Sequence, residues 1–329
     1  MPTQTVPLEL VDLSEVRRAN ERRYDAMDDG AVDRKVLVIV NGKGGVGKSS
    51  LASATAVAIA KIGRRVLLIE MDEQGNNGED LGFTGTHLAD NGAAQAAAIL
   101  EGKPLLPTGE ARPGLFVVPG GDRLEDVVEE LYVQRRLANQ RRANGDAEDD
   151  AWMGMYAAAL YKIRDDYDLI ILDVAPGSEV LQLQALVAGD SVLIPSKSDP
   201  SSRKGLRTVA RRFVVASEHN DLLRLLGVVL FATNTSATKV QKNIKDNLEG
   251  DLKGAAPVFE QSIRHVEAAA VAARQAGRVP QEMRSEDSGL DPGLRESMKK
   301  LAGDYQSLAI ELMQALTALN NEDAEENEA

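Results

Sequence analysis

Apolar runs separated by small-residue and mixed segments extend over most of the chain. We predict strands at the apolar runs 36–40, 65–70, 115–118, 169–172, 191–195 and 226–232. Two Ala-rich segments, Ser49–Ile62 and Ala93–Leu100, are typical of helices that lie flat on a sheet. Strands that alternate with helices predict parallel pairing with right-handed crossovers. We therefore expect an α/β fold: a single domain with a mostly parallel, doubly wound sheet flanked by helices, plus terminal extensions.

Shifts in composition mark the ends of this domain. Residues Leu13–Met27 mix apolar residues with four arginines and could form one helix, and the last nine residues are mostly acidic. The segment before the first strand is too short for a helix-turn-helix domain. We predict four parts: a partly helical N-terminal appendage at 1–34, the α/β domain at 35–284, a C-terminal helix packed on it at 285–320, and a disordered acidic tail at 321–329.

The segment Asn41–Ser50, between the first strand and the first helix, is typical of a phosphate-binding loop. Gly42, Gly47, Lys48 and Ser49 match the pattern G-x-x-x-x-G-K-[ST]. In that pattern backbone N–H groups close on phosphates, the lysine neutralises the β- and γ-phosphates, and the hydroxyl reaches Mg²⁺. The following helix adds the positive end of its dipole. We expect ATP and Mg²⁺ to bind here, since a glycine turn without a ligand would rarely fall between a strand and a helix.

Lys43 is a second lysine inside this loop. Lys48 already supplies one cation, so a second one needs another negative charge nearby. The segment resembles the K-G-G-x-G-K-[ST] signature of the deviant P-loop family of ParA and MinD type ATPases, and reads Lys43-Gly44-Gly45-Val46-Gly47-Lys48-Ser49. In that family the first lysine crosses a dimer interface to the partner's nucleotide, so the resemblance implies a catalytic role for Lys43 in an ATP-dependent homodimer. A solvated loop lysine is the alternative.

The same resemblance implies which residues of the loop contact the nucleotide. They are Gly44, Gly45, Val46, Gly47, Lys48, Ser49 and Ser50. Asn234, after the strand at 226–232, corresponds to a residue near the adenine in ParA relatives, although an ordinary turn asparagine fits its position nearly as well.

Two predicted strands end in carboxylates, at the edge where α/β sheets bind ligands. Residues 70–76 are similar to the family segment D-x-D-P-Q-G-N. The resemblance places Asp72 at the second aspartate, which helps to position the attacking water. Glu70 replaces the first aspartate and Glu73 replaces the proline. A strand-end loop with solvated acids is the alternative interpretation.

The second carboxylate, Asp173, ends a strand that is apolar on both faces. P-loop NTPases place the acidic group that supports Mg²⁺ at this point, so we expect Ser49 and Asp173 to form the metal site. The segment 167–177 is similar to the family pattern Y-D-x-I-I-I-D-x-P-P-G, with Ala175 in place of the first proline. In relatives the turn at Pro176 and Gly177 senses the γ-phosphate.

A basic segment follows the fifth strand. Residues 201–216 contain five basic residues and no acidic one, and helical spacing separates a basic face from an apolar one. We predict that non-specific DNA is bound by Arg203, Lys204, Arg207 and Arg211. A merely solvated face is the alternative. The lysines at 239, 242 and 245 form a second, weaker candidate.

Composition limits the remaining possibilities. The chain has 329 residues and no cysteine, which excludes disulfides, thiolate zinc sites and cysteine-held iron–sulfur clusters, including the metal-carrier ATPases that need such cysteines. Without a signal-type N-terminus, we expect a cytoplasmic, nucleoid-associated protein. The net charge of −13 argues against broad affinity for nucleic acid, so DNA binding would need a local patch.

The resemblance implies a function as well as a fold. We expect a slow, Mg²⁺-dependent partitioning ATPase that dimerises with ATP, binds non-specific DNA and is stimulated by a ParB-like partner. A MinD-like membrane switch is the main alternative, but it needs a basic amphipathic C-terminal helix, and the acidic end would be repelled by anionic lipid. A DNA-binding module without activity is disfavoured because Lys48, Ser49, Asp72 and Asp173 are all present.

Overall fold

The computed structural model describes residues 34–145, 150–197, 202–233, 242–243, 245–246, 248–249, 257–285 and 289–328. The predicted appendage before residue 34 lies outside these ranges. Among the described residues, no helix is apolar enough over a sufficient length to cross a membrane.

One sheet organises the described chain. Its strands are β1 (Val36–Ile39), β2 (Val66–Met71), β3 (Gly109–Arg112), β4 (Leu115–Val118), β5 (Leu169–Val174), β6 (Ser191–Ser196), β7 (Arg224–Thr233) and β8 (Ile263–Arg264). They lie in the order β3-β4-β2-β5-β1-β6-β7-β8. Every neighbouring pair is parallel except β3 and β4. The predicted α/β fold class is confirmed, because the sheet is parallel except for its edge strand β3, and helices connect its strands.

Helices cover both faces of the sheet. They are α1 (Lys48–Ala60), α2 (Asn76–Leu81), α3 (Ala93–Glu101), α4 (Arg123–Ala143), α5 (Met155–Tyr161), α6 (Glu179–Ala188), α7 (Ser202–Ser217), α8 (Glu267–Gln275) and α9 (Pro292–Glu328). Leu37 and Ile39 of β1 pack in the core that contains α1, α8 and α9. Val36 and Val38 pack in the core on the opposite face, which contains α3 to α7. Burial on both faces explains why the central strands are apolar without alternation.

The C-terminal helix differs from the sequence-based expectation. The acidic sequence predicts a disordered tail at 321–329, whereas α9 continues through Glu328. Extending an existing helix requires no new nucleation, so acidic residues that could not form a helix alone can continue one. Earlier in α9, Asp304 binds Arg264 of β8 through two oxygens, each 2.6 Å from a guanidinium nitrogen. This pair fixes α9 against the edge of the sheet.

Candidate nucleotide site

The predicted phosphate-binding loop connects β1 to α1. Gly45 and Gly47 have φ of 67° and 85°, a left-handed conformation that glycine adopts without strain. A Cβ at Gly47 would also overlap the ring of Phe231, which packs on the loop from β7. α1 begins immediately after Gly47, so its unpaired first-turn N–H groups are at the end of the loop. This local structure is suited to an anion.

Asn41 fixes the start of the loop. Its side-chain amide donates to the Pro195 carbonyl of β6 at 2.7 Å, and its Oδ1 accepts from the Lys43 N–H at 2.8 Å. Asn41 is fully buried, and a Cβ at Gly205 of α7 would overlap its oxygen. The loop meets α7 at a second point, where a Cβ at Gly42 would lie 2.8 Å from Cβ of Thr208. The loop is therefore packed directly against the basic helix.

Lys48 lies in a buried cluster of charges. Burial lowers the pKa of Lys48, and the carboxylates of Asp173 and Asp72 oppose this shift. The three residues come from the start of α1 and from the carboxyl ends of β5 and β2. The structure thus brings together the lysine and the two carboxylates that the sequence predicted at separate points of the chain.

The two carboxylate oxygens of Asp173 have different surroundings. Its Oδ2 accepts from the Asn77 side chain at 3.0 Å, while the buried Oδ1 has no well-placed hydrogen-bond donor in the described part of the chain. Burial raises the pKa of Asp173 to about 6, against the effects of the nearby Ser49 hydroxyl and of Lys48. A buried carboxylate oxygen beside a serine hydroxyl fits a hard cation such as Mg²⁺. Ser49 and Asp173 are therefore suited to the predicted metal site.

Asn77 and Glu70 complete this acidic cluster, and sequence reasoning gave neither a role. Asn77 accepts from Ser53 of α1 at 2.6 Å, and its N–H donates to Glu70 at 2.9 Å. Glu70 lies beside Asp173 in the sheet register. One asparagine thereby connects α1, β2 and β5. A polar residue two positions after the Gln74-Gly75 turn was the available signal, but its partners are distant in sequence.

Asp72 is held by the backbone of its own turn. Its Oδ1 accepts from the Gln74 N–H at 3.0 Å, and its carbonyl accepts from the Gly121 N–H at 3.1 Å. Asp72 is 9% exposed, and its charge acts on Lys48. Glu73 replaces the proline of the family segment, and the turn is still closed by a 3.4 Å hydrogen bond from the Gly75 N–H to the Asp72 carbonyl.

Glu70 gives the site a testable pH dependence. Burial, followed by the charge of Asp173, raises the pKa of Glu70 from 4.5 to about 8. The folded protein therefore retains a proton that the unfolded chain releases, and this contribution to stability is complete below about pH 4.5 and lost as the pH rises to about 8. The raised pKa of Asp173 acts in the same direction at lower pH.

We expect the unfolding free energy of the nucleotide-free protein to fall between about pH 5 and 8, and Glu70→Gln to flatten this slope. Urea titrations at several pH values measure it. Glu296→Gln, an exposed change on α9, is the control. A slope that is the same in Glu70→Gln and in the wild type would contradict the assignment.

Gln182 links the predicted γ-phosphate turn to the basic helix. Its amide donates to the carbonyls of Ala175 at 2.8 Å and Pro176 at 3.1 Å, and its oxygen accepts from Arg212 of α7. Gln182 is fully buried on helix α6, among mostly apolar residues. Sequence reasoning missed it, although a glutamine among apolar helical residues is a recognisable signal of a buried polar contact.

The predicted basic face is present on α7. Lys204, Arg207 and Arg211 are exposed, and Val209 is buried. Arg203 belongs to the helix, but its side chain lies outside what the structure describes. In the weaker candidate, Lys245 binds Glu260 at 2.8 Å.

A cavity of about 230 Å³ is lined by residues of α1, β7, β8 and α8. Ser50, Phe231 and Ala232 contribute to its lining, and Ala232 has a left-handed φ of 55°. Asn234, the predicted adenine contact, lies outside the described residues, so its role stays a prediction.

Comparison with known proteins agrees with this geometry. A family model described as an AAA domain matches residues 34–224. The chain is 31% identical over 216 residues to the chromosome partitioning protein ParA of Myxococcus xanthus, covering 64% of this chain and 70% of the relative. It is 30% identical over 196 residues to the chromosome-partitioning ATPase Soj of Thermus thermophilus, covering 59% and 68%.

Solved structures show the same fold at lower identity. The structure of pnob8 ParA covers 86% of this chain and 99% of its own, with a TM-score of 0.58 and 20% identity. A cobyrinic acid a,c-diamide synthase from Mycobacterium smegmatis, with bound ADP and magnesium, covers 78% and 97% with a TM-score of 0.58 and 23% identity. Together with the matched family model and the two relatives, the loop and its charge cluster lead to one assignment: the chain belongs to the ParA/Soj-type family of partitioning ATPases.

Proposed function

We propose that this protein is a Mg²⁺-dependent partitioning ATPase that dimerises with ATP, binds non-specific DNA in that state, and is stimulated by a ParB-like partner. The observation that carries the proposal is the convergence of Lys48, Asp72 and Asp173 at the end of a glycine loop that leads into α1. Phosphoryl transfer needs positioning and charge neutralisation more than covalent chemistry, and this cluster supplies both.

Each residue has a distinct role in this proposal. The loop N–H groups and Lys48 hold the β- and γ-phosphates, and Asp72 orients the attacking water. Ser49 and Asp173 would hold Mg²⁺, which neutralises phosphate charge when bound. Asn77 keeps the Asp173 carboxylate in place through its 3.0 Å hydrogen bond. Glu70, with its raised pKa, adds little negative charge to the cluster near neutral pH.

One experiment separates the proposed function from the membrane alternative. We expect ATP turnover to rise with duplex DNA and to stay unchanged with anionic liposomes. Stimulation by liposomes alone would favour a MinD-like function. No turnover under any condition would remove the ATPase assignment.

Lys43 is proposed to act across a dimer interface. Its backbone is anchored to Asn41, so the side chain starts from a fixed position in the loop. A second cation beside Lys48 is stabilised when a second set of phosphate oxygens approaches it. We expect Lys43→Ala to bind ATP but to remain monomeric in light scattering, whereas the wild type dimerises with ATP. Lys61→Ala, an exposed lysine after α1, is the control. A dimer that neither ATP nor Lys43→Ala affects would contradict this role.

The basic face of α7 is proposed to contact DNA phosphates. With a net charge of −13, binding depends on this local patch, and pairing two patches in a dimer doubles the phosphates neutralised. We expect Arg207→Glu/Arg211→Glu to weaken ATP-dependent binding to random duplex DNA at low salt by at least about tenfold, and wild-type binding to fall steeply with salt.

The control for this change is Lys299→Glu/Lys300→Glu, a pair of exposed lysines on α9. This double variant changes the net charge by the same amount as Arg207→Glu/Arg211→Glu, but on the face of the sheet opposite α7. Equal loss of binding in both double variants would show that overall charge, not α7, controls the interaction. Wild type that fails to bind DNA with ATP would remove the partitioning mechanism.

A further inference from the structure

An apolar groove runs between α1 and α9, far from the phosphate loop. Its volume is about 620 Å³, and its lining includes Ile59 and Ile62 of α1 and Ile310 and Met313 of α9. Ile62 is 68% exposed and Ile310 is 55% exposed. Large aliphatic side chains that share an exposed groove mark a binding surface more often than isolated ones do.

The chain enters the described structure at one end of this groove. The backbone N–H of Arg34 donates to Asn320 Oδ1 at 3.3 Å, and the next residue, Asn321, lines the groove. The segment that precedes Arg34 therefore starts beside the groove.

The sequence of that segment contains a matching stripe. Leu13, Val16, Tyr24 and Met27 fall on one side of a helical wheel together with Asn20. Arg18 and Arg22 fall on the opposite side, and Arg17 and Arg23 flank the stripe. A helix over residues 13–27 would be about 22 Å long, and the part of α9 from 306 to 321 that lines the groove is about 24 Å long. The six residues 28–33 can span up to about 20 Å, which is enough for the helix to turn back along α9.

We propose that residues 13–27 form an amphipathic helix that docks in the α1–α9 groove of the same chain. The apolar stripe would cover Ile62 and Ile310, Arg18 and Arg22 would remain in water, and Arg17 and Arg23 would lie at the rim of the groove. Because α1 carries Lys48 at its other end, the docked segment would brace the helix on which the phosphate loop is built. Docking of this segment does not depend on DNA, on a ParB-like partner or on nucleotide.

The absence of cysteine from the sequence makes cross-linking specific. We would introduce Tyr24→Cys with Ile310→Cys into the full-length chain and treat it with a short bismaleimide. Matched controls are Arg18→Cys with Ile310→Cys, which uses the opposite side of the segment, and Tyr24→Cys with Val214→Cys. Val214 is 60% exposed on α7, across the sheet.

The expected result is an intramolecular product with a yield several-fold above both controls. Equal yields in the three variants would show an undocked segment and overturn the proposal. A product with the mass of a dimer would show that a second copy occupies the groove, which would also overturn it.

Thermal unfolding supplies a second measurement. If the groove is covered, Ile310→Glu and Tyr24→Glu should each lower the Tm by about 2 to 4 °C, and the double variant should lose no more than the larger single change. If the groove is open to water, Ile310→Glu should leave the Tm unchanged. Unchanged Tm values, or fully additive losses, would contradict docking.

Discussion

Lys48→Ala should lose measurable ATP binding and reduce turnover by about two to three orders of magnitude. Lys48 is the buried cation between the loop and the carboxylates of Asp72 and Asp173. Without it, the incoming phosphates would meet two carboxylates in a desolvated pocket with no compensating charge. Like charges at short distance in such a pocket repel strongly, so binding and turnover should fail together.

Calorimetric ATP titration and a phosphate-release assay measure the two effects. Lys61→Ala removes a lysine of the same charge from the exposed end of the same helix and should behave as wild type. Circular dichroism establishes whether each variant is folded. If folded Lys48→Ala retained wild-type affinity, the loop would not be the phosphate site.

Asp72→Ala should separate binding from turnover. We expect ATP affinity within a few-fold of wild type and a turnover reduced by about a hundredfold, because a group that orients the attacking water acts mainly in the transition state. The carboxylate is held at 3.0 Å by the Gln74 N–H, so its position does not depend on the ligand. Loss of the negative charge should even favour phosphate binding slightly.

Glu73→Ala is the matched control, since Glu73 is the adjacent acid in the same turn. It should keep both affinity and turnover. Single-turnover measurements test whether the chemical step is the one affected. Wild-type turnover in Asp72→Ala would exclude it from the mechanism, and equal losses in the two variants would indicate damage to the turn.

The parts of the molecule that the sequence predicts well depend on local pattern. The central strands are recognisable because burial on both faces requires an unbroken apolar run, as at 36–40 and 169–172. The carboxylates of Asp72 and Asp173 could be placed near the loop because parallel strands end at the same edge of a sheet. The loop could be placed because few residue types fit its backbone.

The parts that could not be predicted depend on pairing between distant residues. Strand β3 is polar and lies at the antiparallel edge, so it has no apolar signal. The hydrogen bonds of Asn77 and Gln182, and the close approach of Gly205 to Asn41, join elements far apart in sequence. The helical continuation of α9 depends on the helix that precedes it.

The packing of α9 on α1 has a consequence for synthesis of the protein. α1 ends at residue 60, but the helix that covers its apolar residues begins only at residue 292. At about 5 to 20 residues per second, the ribosome needs roughly 10 to 50 s to reach α9 after completing α1. During that time Leu51 and Ile59 lack their final neighbours, so one layer of the nascent domain remains open to chaperones and to other nascent chains. Only late in translation can the helix that starts at Lys48 acquire its full support.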